Sequence, residues 1–215
     1  MKIFSAKTLN TQDGHKDIVT TLLDNKLSIS EKIDNLINSY SELRLSNGAM
    51  EELITRLLKK NGGSIRFPRK GDNNERFDAV ISFPTYSCAT EIEIPSTEIL
   101  DAPRNLLDDY AVLNQRRQGS AKETVVPVVI CWDLPNRRTD YWNVISDVEK
   151  VVGIKIKTIS IIALAICYWL DEEVHLDNDD FFLKYGKEEM DFVMGILSKN
   201  NITSTSLQGY LEPLK

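Results

Sequence analysis

The sequence predicts an α/β domain, a mixed β-sheet flanked by helices, with helical extensions at both ends. Three observations carry this. A helix-period stretch over residues 49–60 is followed by three short β-type runs, two of which read as an antiparallel hairpin. Residues 124–132, Thr-Val-Val-Pro-Val-Val-Ile-Cys-Trp, form the unbroken apolar run of a strand buried on both faces. Helix and strand patterns then alternate to residue 170, the order that puts helices on both sides of a sheet. With 215 residues, 42% hydrophobic and 27% charged, the chain suits one such domain with extensions, or at most two small domains.

The elements follow in order. Residues 1–46 are polar and helix-leaning, with apolar spacings of three and four around Ile18, Val19, Leu22 and Leu23 and again around Ile33, Leu36 and Ile37. Ser28 or Ser30 can cap the second of these helices, with Glu31 in its first turn. This N-terminal arm has too few apolar residues for a core of its own, so it is expected to pack on the main domain or on a second subunit. The main domain is read as 47–170. Its first helix, opened by Ser46-Asn47-Gly48, carries Leu53, Leu57 and Leu58 on one stripe. Lys59 and Lys60 suit its C-terminal end, and Asn61-Gly62-Gly63 stops it. Residues 64–67 read as a short strand and 68–74 as a basic loop. After the hairpin, 101–117 suits a helix capped by Asp101, with Pro103 in its first turn. In the run over 124–132, Pro127 lacks a donor and implies a strand start or a bulge. A helix over 139–150, a strand over 153–159 and a buried helix over 161–170 complete the domain. The C-terminal extension, 171–215, is expected to be acidic and helical. Nine acidic residues from Asp171 to Asp191 face only Lys184 and Lys187, a charge block that reads as a solvated face turned away from DNA.

Several functions are excluded or disfavoured. Cys88, Cys131 and Cys167 are far apart, there is no Cys-X-X-Cys, and His15 and His175 are the only histidines, so neither a cysteine zinc site nor a disulfide framework is indicated. The cysteine usage and the polar residues directly after Met1-Lys2-Ile3-Phe4 point to an intracellular, cytoplasmic protein. The apolar run 159–170 is too short to span a bilayer, so no membrane partner is expected. The net charge of −6 argues against nonspecific coating of nucleic acid but leaves room for a local basic face. No Walker-type loop, Gly-X-Gly-X-X-Gly, His-Glu-X-X-His or Gly-X-Ser-X-Gly is present.

The chemistry lies in the hairpin. Asp78 opens one strand, and Glu91-Ile92-Glu93 falls thirteen residues later on the other. Alternation puts Glu91 and Glu93 on one face, and a turn at Pro84-Thr85 sets Asp78 opposite them. Three carboxylates on one face repel each other unless a cation sits between them. Mg²⁺ or Mn²⁺ would suit such hard oxygen donors, with Asp78, Glu91 and the Ile92 carbonyl as ligands. The plain alternative is an amphipathic strand with Glu91 and Glu93 in solvent. The preceding Glu51-Glu52 and the basic residues Arg66, Arg69, Lys70 and Arg76, placed to grip phosphates, favour a site.

The segment from Gly48 through Arg66 and Asp78 to Glu91-Ile92-Glu93 resembles the PD-(D/E)XK nuclease superfamily. Within it the pattern is most similar to archaeal-type Holliday junction resolvases: a helix glutamate, an arginine on a short strand, an aspartate opening the next strand, then Glu-X-Lys. The resemblance implies a restriction-endonuclease-like fold and a Mg²⁺- or Mn²⁺-dependent DNA endonuclease acting on branched or duplex DNA as a homodimer. It gives catalytic roles to Glu52 (or Glu51), Asp78, Glu91 and Glu93. Glu93 stands where the family has lysine. Either Glu93 acts as base or extra ligand, or a lysine such as Lys70 arrives from elsewhere, or the chemistry is lost. A restriction-type endonuclease, encouraged by the Glu-X-Glu, and a non-catalytic DNA-binding protein on the same scaffold are the alternatives.

Overall fold

A computed structural model of the chain describes residues 11–44, 47–68, 78–94, 98–117, 124–186, 190–203 and 207–215. Its helices before the sheet are α1 (Gln12–Leu23), α2 (Ile29–Asn38), α3 (Tyr40–Arg44) and α4 (Asn47–Lys60). Ser28 caps α2 in a reciprocal box. Its hydroxyl faces the Glu31 N–H, and the Glu31 carboxylate accepts from the Ser28 N–H at 2.9 Å. The strands β1 (Ser64–Arg66), β2 (Ala79–Ser82) and β3 (Tyr86–Glu93) run antiparallel. Helix α5 (Ala102–Arg117) crosses to β4 (Thr124–Cys131), and α6 (Asp140–Val152) to β5 (Lys157–Ser160), so β3, β4 and β5 are parallel. Helices α7 (Ile161–Leu170) and α8 (Asp191–Lys199) follow.

The result is the expected mixed sheet, five strands in the order β1-β2-β3-β4-β5. Its two faces are built differently. The pairing register puts Glu91, Val129 and Thr158 on one face and Thr90, Val128 and Lys157 on the other. Helix α5 packs over β3 and β4, and Tyr141 of α6 hydrogen-bonds Thr158 at 2.8 Å, so α5 and α6 cover the first face. Helices α4 and α7 pack on each other and cover the second. Pro127 sits inside β4 without a bulge. It pairs with Ala89 on one side, and the β5 ladder begins only at Val128, so the missing donor falls before that ladder.

The N-terminal helices pack on the sheet domain itself. Helix α1 lies against α4 and α2 against α7, Trp169 donates to the Leu23 carbonyl at 3.0 Å, and Arg56 bonds Thr20 and Asp24. One continuous cluster of buried apolar side chains runs from Ile18 to Leu211. The expected strand over 153–159 shortens to 157–160. Among the described residues the acidic tail is helical in α8 and in a short 3-10 turn, Lys184–Gly186. Residues 171–183 form turns instead, since Asp and Asn side chains bond neighbouring backbone better than they extend a helix, as Asn178 does with the Asp180 N–H. The tail then straps across the end of β4. The Leu134 N–H donates to the Gly209 carbonyl at 2.7 Å and the Arg137 N–H to the Leu214 carbonyl at 2.8 Å.

Candidate active site

The hairpin closes where its turn chemistry dictates. The Phe83 N–H donates to the Tyr86 carbonyl at 2.9 Å, with Pro84 and Thr85 at the tip. From that closure the register runs from Ser82 opposite Ser87 to Ala79 opposite Thr90, and one further step sets Asp78 across from Glu91. The Asp78 carboxylate accepts the Ile92 N–H at 2.9 Å, which prolongs the ladder with a side chain.

Asp78, Glu91 and Glu93 therefore meet at one end of the hairpin, and their electrostatics record the crowding. Glu91 is buried, with 8% of its surface exposed, although it belongs to a residue type seldom buried without a partner. Burial, then the charges of Asp78, Asp109 and Glu93, push its carboxyl up to about 8, against one lowering contact from the Asn105 amide. Glu93 is raised by burial first and then by Asp78 and Glu98. Asp78 is exposed as a residue, but the atoms packed around its carboxyl raise it too, partly offset by the Ile92 N–H. The charges acting most strongly on Glu91 are all negative.

A cavity of about 300 Å³ opens beside this end of the hairpin. Asp78, Ile92 and Ile94 line one side and Met50, Glu51 and Ile54 of α4 the other. Glu51 is thus the helix carboxylate that shares a cavity with Asp78. Glu52 lines an adjoining space of about 210 Å³ with Gln12, His15, Gly48 and Thr55, and Glu51 borders both. Successive helical residues point about 100° apart, which is why the two neighbours serve different cavities.

Arg66 lies at the end of β1 opposite Val80, on the sheet face that carries the acids, and is exposed. Arg69, Lys70 and Arg76 lie outside the described residues. Lys157, a sheet lysine, is on the opposite face from the acids and is held by Asp179 at 2.8 Å. Arg137 is engaged by the tail through Glu212 at 3.3 Å and the Pro213 carbonyl at 3.0 Å. Trp132, Tyr141 and Trp142 are core residues.

Sequence reasoning placed α5, expected over 101–117, but missed that it brings residues to the site. Asn105 and the buried Asp109 sit one helical turn apart and both reach Glu91. The one signal was an Asn and an Asp at i, i+4 on this helix.

Among the described residues no three or more His, Cys, Asp and Glu side chains are grouped so as to hold a metal by themselves. The donor chemistry nonetheless fits a hard divalent cation. Two carboxylates and a carbonyl suffice when waters complete an octahedron, and the site is a partly desolvated surplus of negative charge.

No protein-family model matches the sequence, and no curated protein matches it. Among solved structures the chain is similar to the small subunit (R.BspD6I2) of the heterodimeric restriction endonuclease R.BspD6I, at 9% identity, covering 79% of this chain and 100% of that one, with a TM-score of 0.47.

Proposed function

We propose that the chain is a restriction-endonuclease-like, Mg²⁺- or Mn²⁺-dependent DNA endonuclease, and that its substrate is branched DNA. The observation that carries the reading is the burial of Glu91 beside the negative charges of Asp78, Asp109 and Glu93. Folding such a group against its own repulsion is costly, and a site that binds a cation offers a reason to retain it. Asp78, Glu91 and the Ile92 carbonyl would hold the cation. A divalent cation there supplies an acidified water and polarisation of the scissile phosphate. Glu93, on the same face two residues on, has a carboxyl raised by burial and by Asp78 and accepts a proton from attacking water. Glu51 faces Asp78 across the cavity and orients solvent there, while Glu52 serves the neighbouring space. Arg66 meets backbone phosphate at the rim. Two cuts on opposite strands of a junction call for two sites, hence a homodimer.

The test is cleavage of junction, duplex and single-stranded DNA by the purified chain with Mg²⁺ or Mn²⁺. Cutting of junction DNA is expected, with a loss on the order of 10³-fold in Asp78→Ala and Glu91→Ala. An Asp78→Ala chain that cuts as well as the parent ends the assignment. A second reading rests on Glu93 itself: a scaffold that binds DNA without cutting it. Tight junction binding that ignores divalent ions, with no cleavage, would establish that reading instead.

A further inference from the structure

Two residues of the proposed ion site also border the larger cavity. The Asp78 carboxylate accepts the Ile92 N–H at 2.9 Å, and both residues line the space of about 300 Å³ that α4 closes from the other side. A strand sends neighbouring side chains to opposite faces, so Ile92 turns away from the face of Glu91 and into that space. The end of β1 repeats the division. Arg66 is on the acid face, and Phe67, directly after it, lines the cavity. Groups suited to phosphate and metal thus lie on one side of the hairpin's end, and aromatic and apolar surface on the other.

The character of the cavity narrows what it can hold. Leu43 and Ile54 in its lining are fully buried, Phe67 and Ile92 are half-buried, and Glu51 places a carboxylate among them. Its volume is at the lower end of ligand pockets, which pair apolar walls with a few placed polar groups. Sugar and phosphate do not suit such walls, because polar groups buried without partners are costly. A nucleobase does suit them: its faces stack on aromatic rings, and its edge carries N–H groups from which a carboxylate accepts. We propose that this cavity takes one unstacked nucleobase of the strand whose phosphate meets the ion, with Phe67 stacking on the base and Glu51 accepting from its N–H edge. The inference rests on the reading of the hairpin as a metal-dependent DNA site. It adds what that site recognises in branched DNA, an unpaired nucleotide beside the cut. Extracting a base from the stack costs least where it is already unpaired, which sets junctions and bulges above plain duplex.

The experiment uses the full chain and three labelled DNAs: a duplex, the same duplex with one unpaired guanine, and that DNA with an abasic residue in place of the guanine. Affinity is read by fluorescence anisotropy with Ca²⁺, and cleavage with Mg²⁺. The parent should bind the unpaired-guanine DNA about 10-fold more tightly than the abasic DNA. Phe67→Ala should lose most of that ratio and Glu51→Gln part of it. The ratio is taken within each variant, so a general loss of folding or of phosphate contact cancels, and melting temperatures check the fold. Equal affinity of the parent for the guanine and abasic DNAs, or a ratio unchanged in Phe67→Ala, overturns the inference. Cleavage that still depends on Asp78 and Glu91 would then leave the nuclease reading standing. Base-dependent binding without cleavage keeps the cavity assignment and ends the nuclease reading instead. A parent that binds none of the three DNAs overturns both.

Discussion

Glu91 costs the fold something, and the direction of its shift says when. Its folded value of about 8 lies above that of an unfolded glutamate, so its contribution to stability is full below the ordinary carboxylate range and is lost as pH rises through about 8. Asp78 and Glu93 are shifted the same way. Glu91→Gln should therefore leave stability near that of the parent at pH 5 and raise it at pH 9, by on the order of 2–4 kcal/mol. Denaturant unfolding at the two pH values checks this, and a variant less stable than the parent at pH 9 contradicts it. A second residue-scale prediction concerns Gly48. Gly48 is the second residue of α4, where alanine gains less over glycine than the ~1 kcal/mol of a helix interior. Here a Cβ would lie 2.2 Å from Cε1 of His15, and overpacking of that kind costs about 1–3 kcal/mol. Gly48→Ala should lower the melting temperature, and Gly48→Ala combined with His15→Ala should recover the helical gain.

At the scale of elements, the hairpin was legible because its information is local: alternation gives the faces, Pro84-Thr85 gives the closure, and together they set Asp78 against Glu91. The choice between Glu51 and Glu52 was not local. It depends on the phase of α4, and the leucine stripe Leu53, Leu57 and Leu58 omitted Met50 and Ile54, which are also buried and line the cavity beside Glu51. Asn105 and Asp109 were less legible still, since they come to Glu91 only through the packing of α5 on β3, which no spacing encodes. The edge of β5 shows a third kind of hidden contact. Lys157 is almost fully buried and shares Asp179 with Lys155, while the Thr158 N–H donates to the Phe181 carbonyl at 2.9 Å, so the acidic 171–183 segment closes that edge of the sheet. The two lysines hold the Asp179 carboxyl below its usual range. Its stabilising effect is present above the ordinary aspartate range and lost as pH falls through the lowered value. Asp179→Asn leaves the Lys157 charge buried with a weaker partner and should cost about 1–2 kcal/mol, since Asp179 itself is well exposed. Hydrogen exchange should show the loss first in the amides of β5.

For the whole molecule, the N-terminal helices, the sheet and the C-terminal strap share one buried cluster, so binding at the hairpin should report on all of them together. No helix among the described residues is long and apolar enough to cross a membrane. A ligand that binds only the folded chain stabilises it by RT ln(1 + [L]/Kd), about 2.7 kcal/mol at a hundredfold excess over Kd. The acids at the hairpin repel one another when charged, and a divalent cation removes that repulsion, so the gain from Mn²⁺ should be larger at pH 8, where they are more ionised, than at pH 6. Thermal unfolding with and without Mn²⁺ at both pH values is the measurement. The expected pattern is a rise in melting temperature of several degrees at pH 8, a smaller one at pH 6, and none at either pH in Glu91→Gln. Ca²⁺ run in parallel should also stabilise, because the attraction is to charge and hard oxygen. Equal shifts in the parent and in Glu91→Gln would place the cation elsewhere on this acidic chain and detach it from the hairpin.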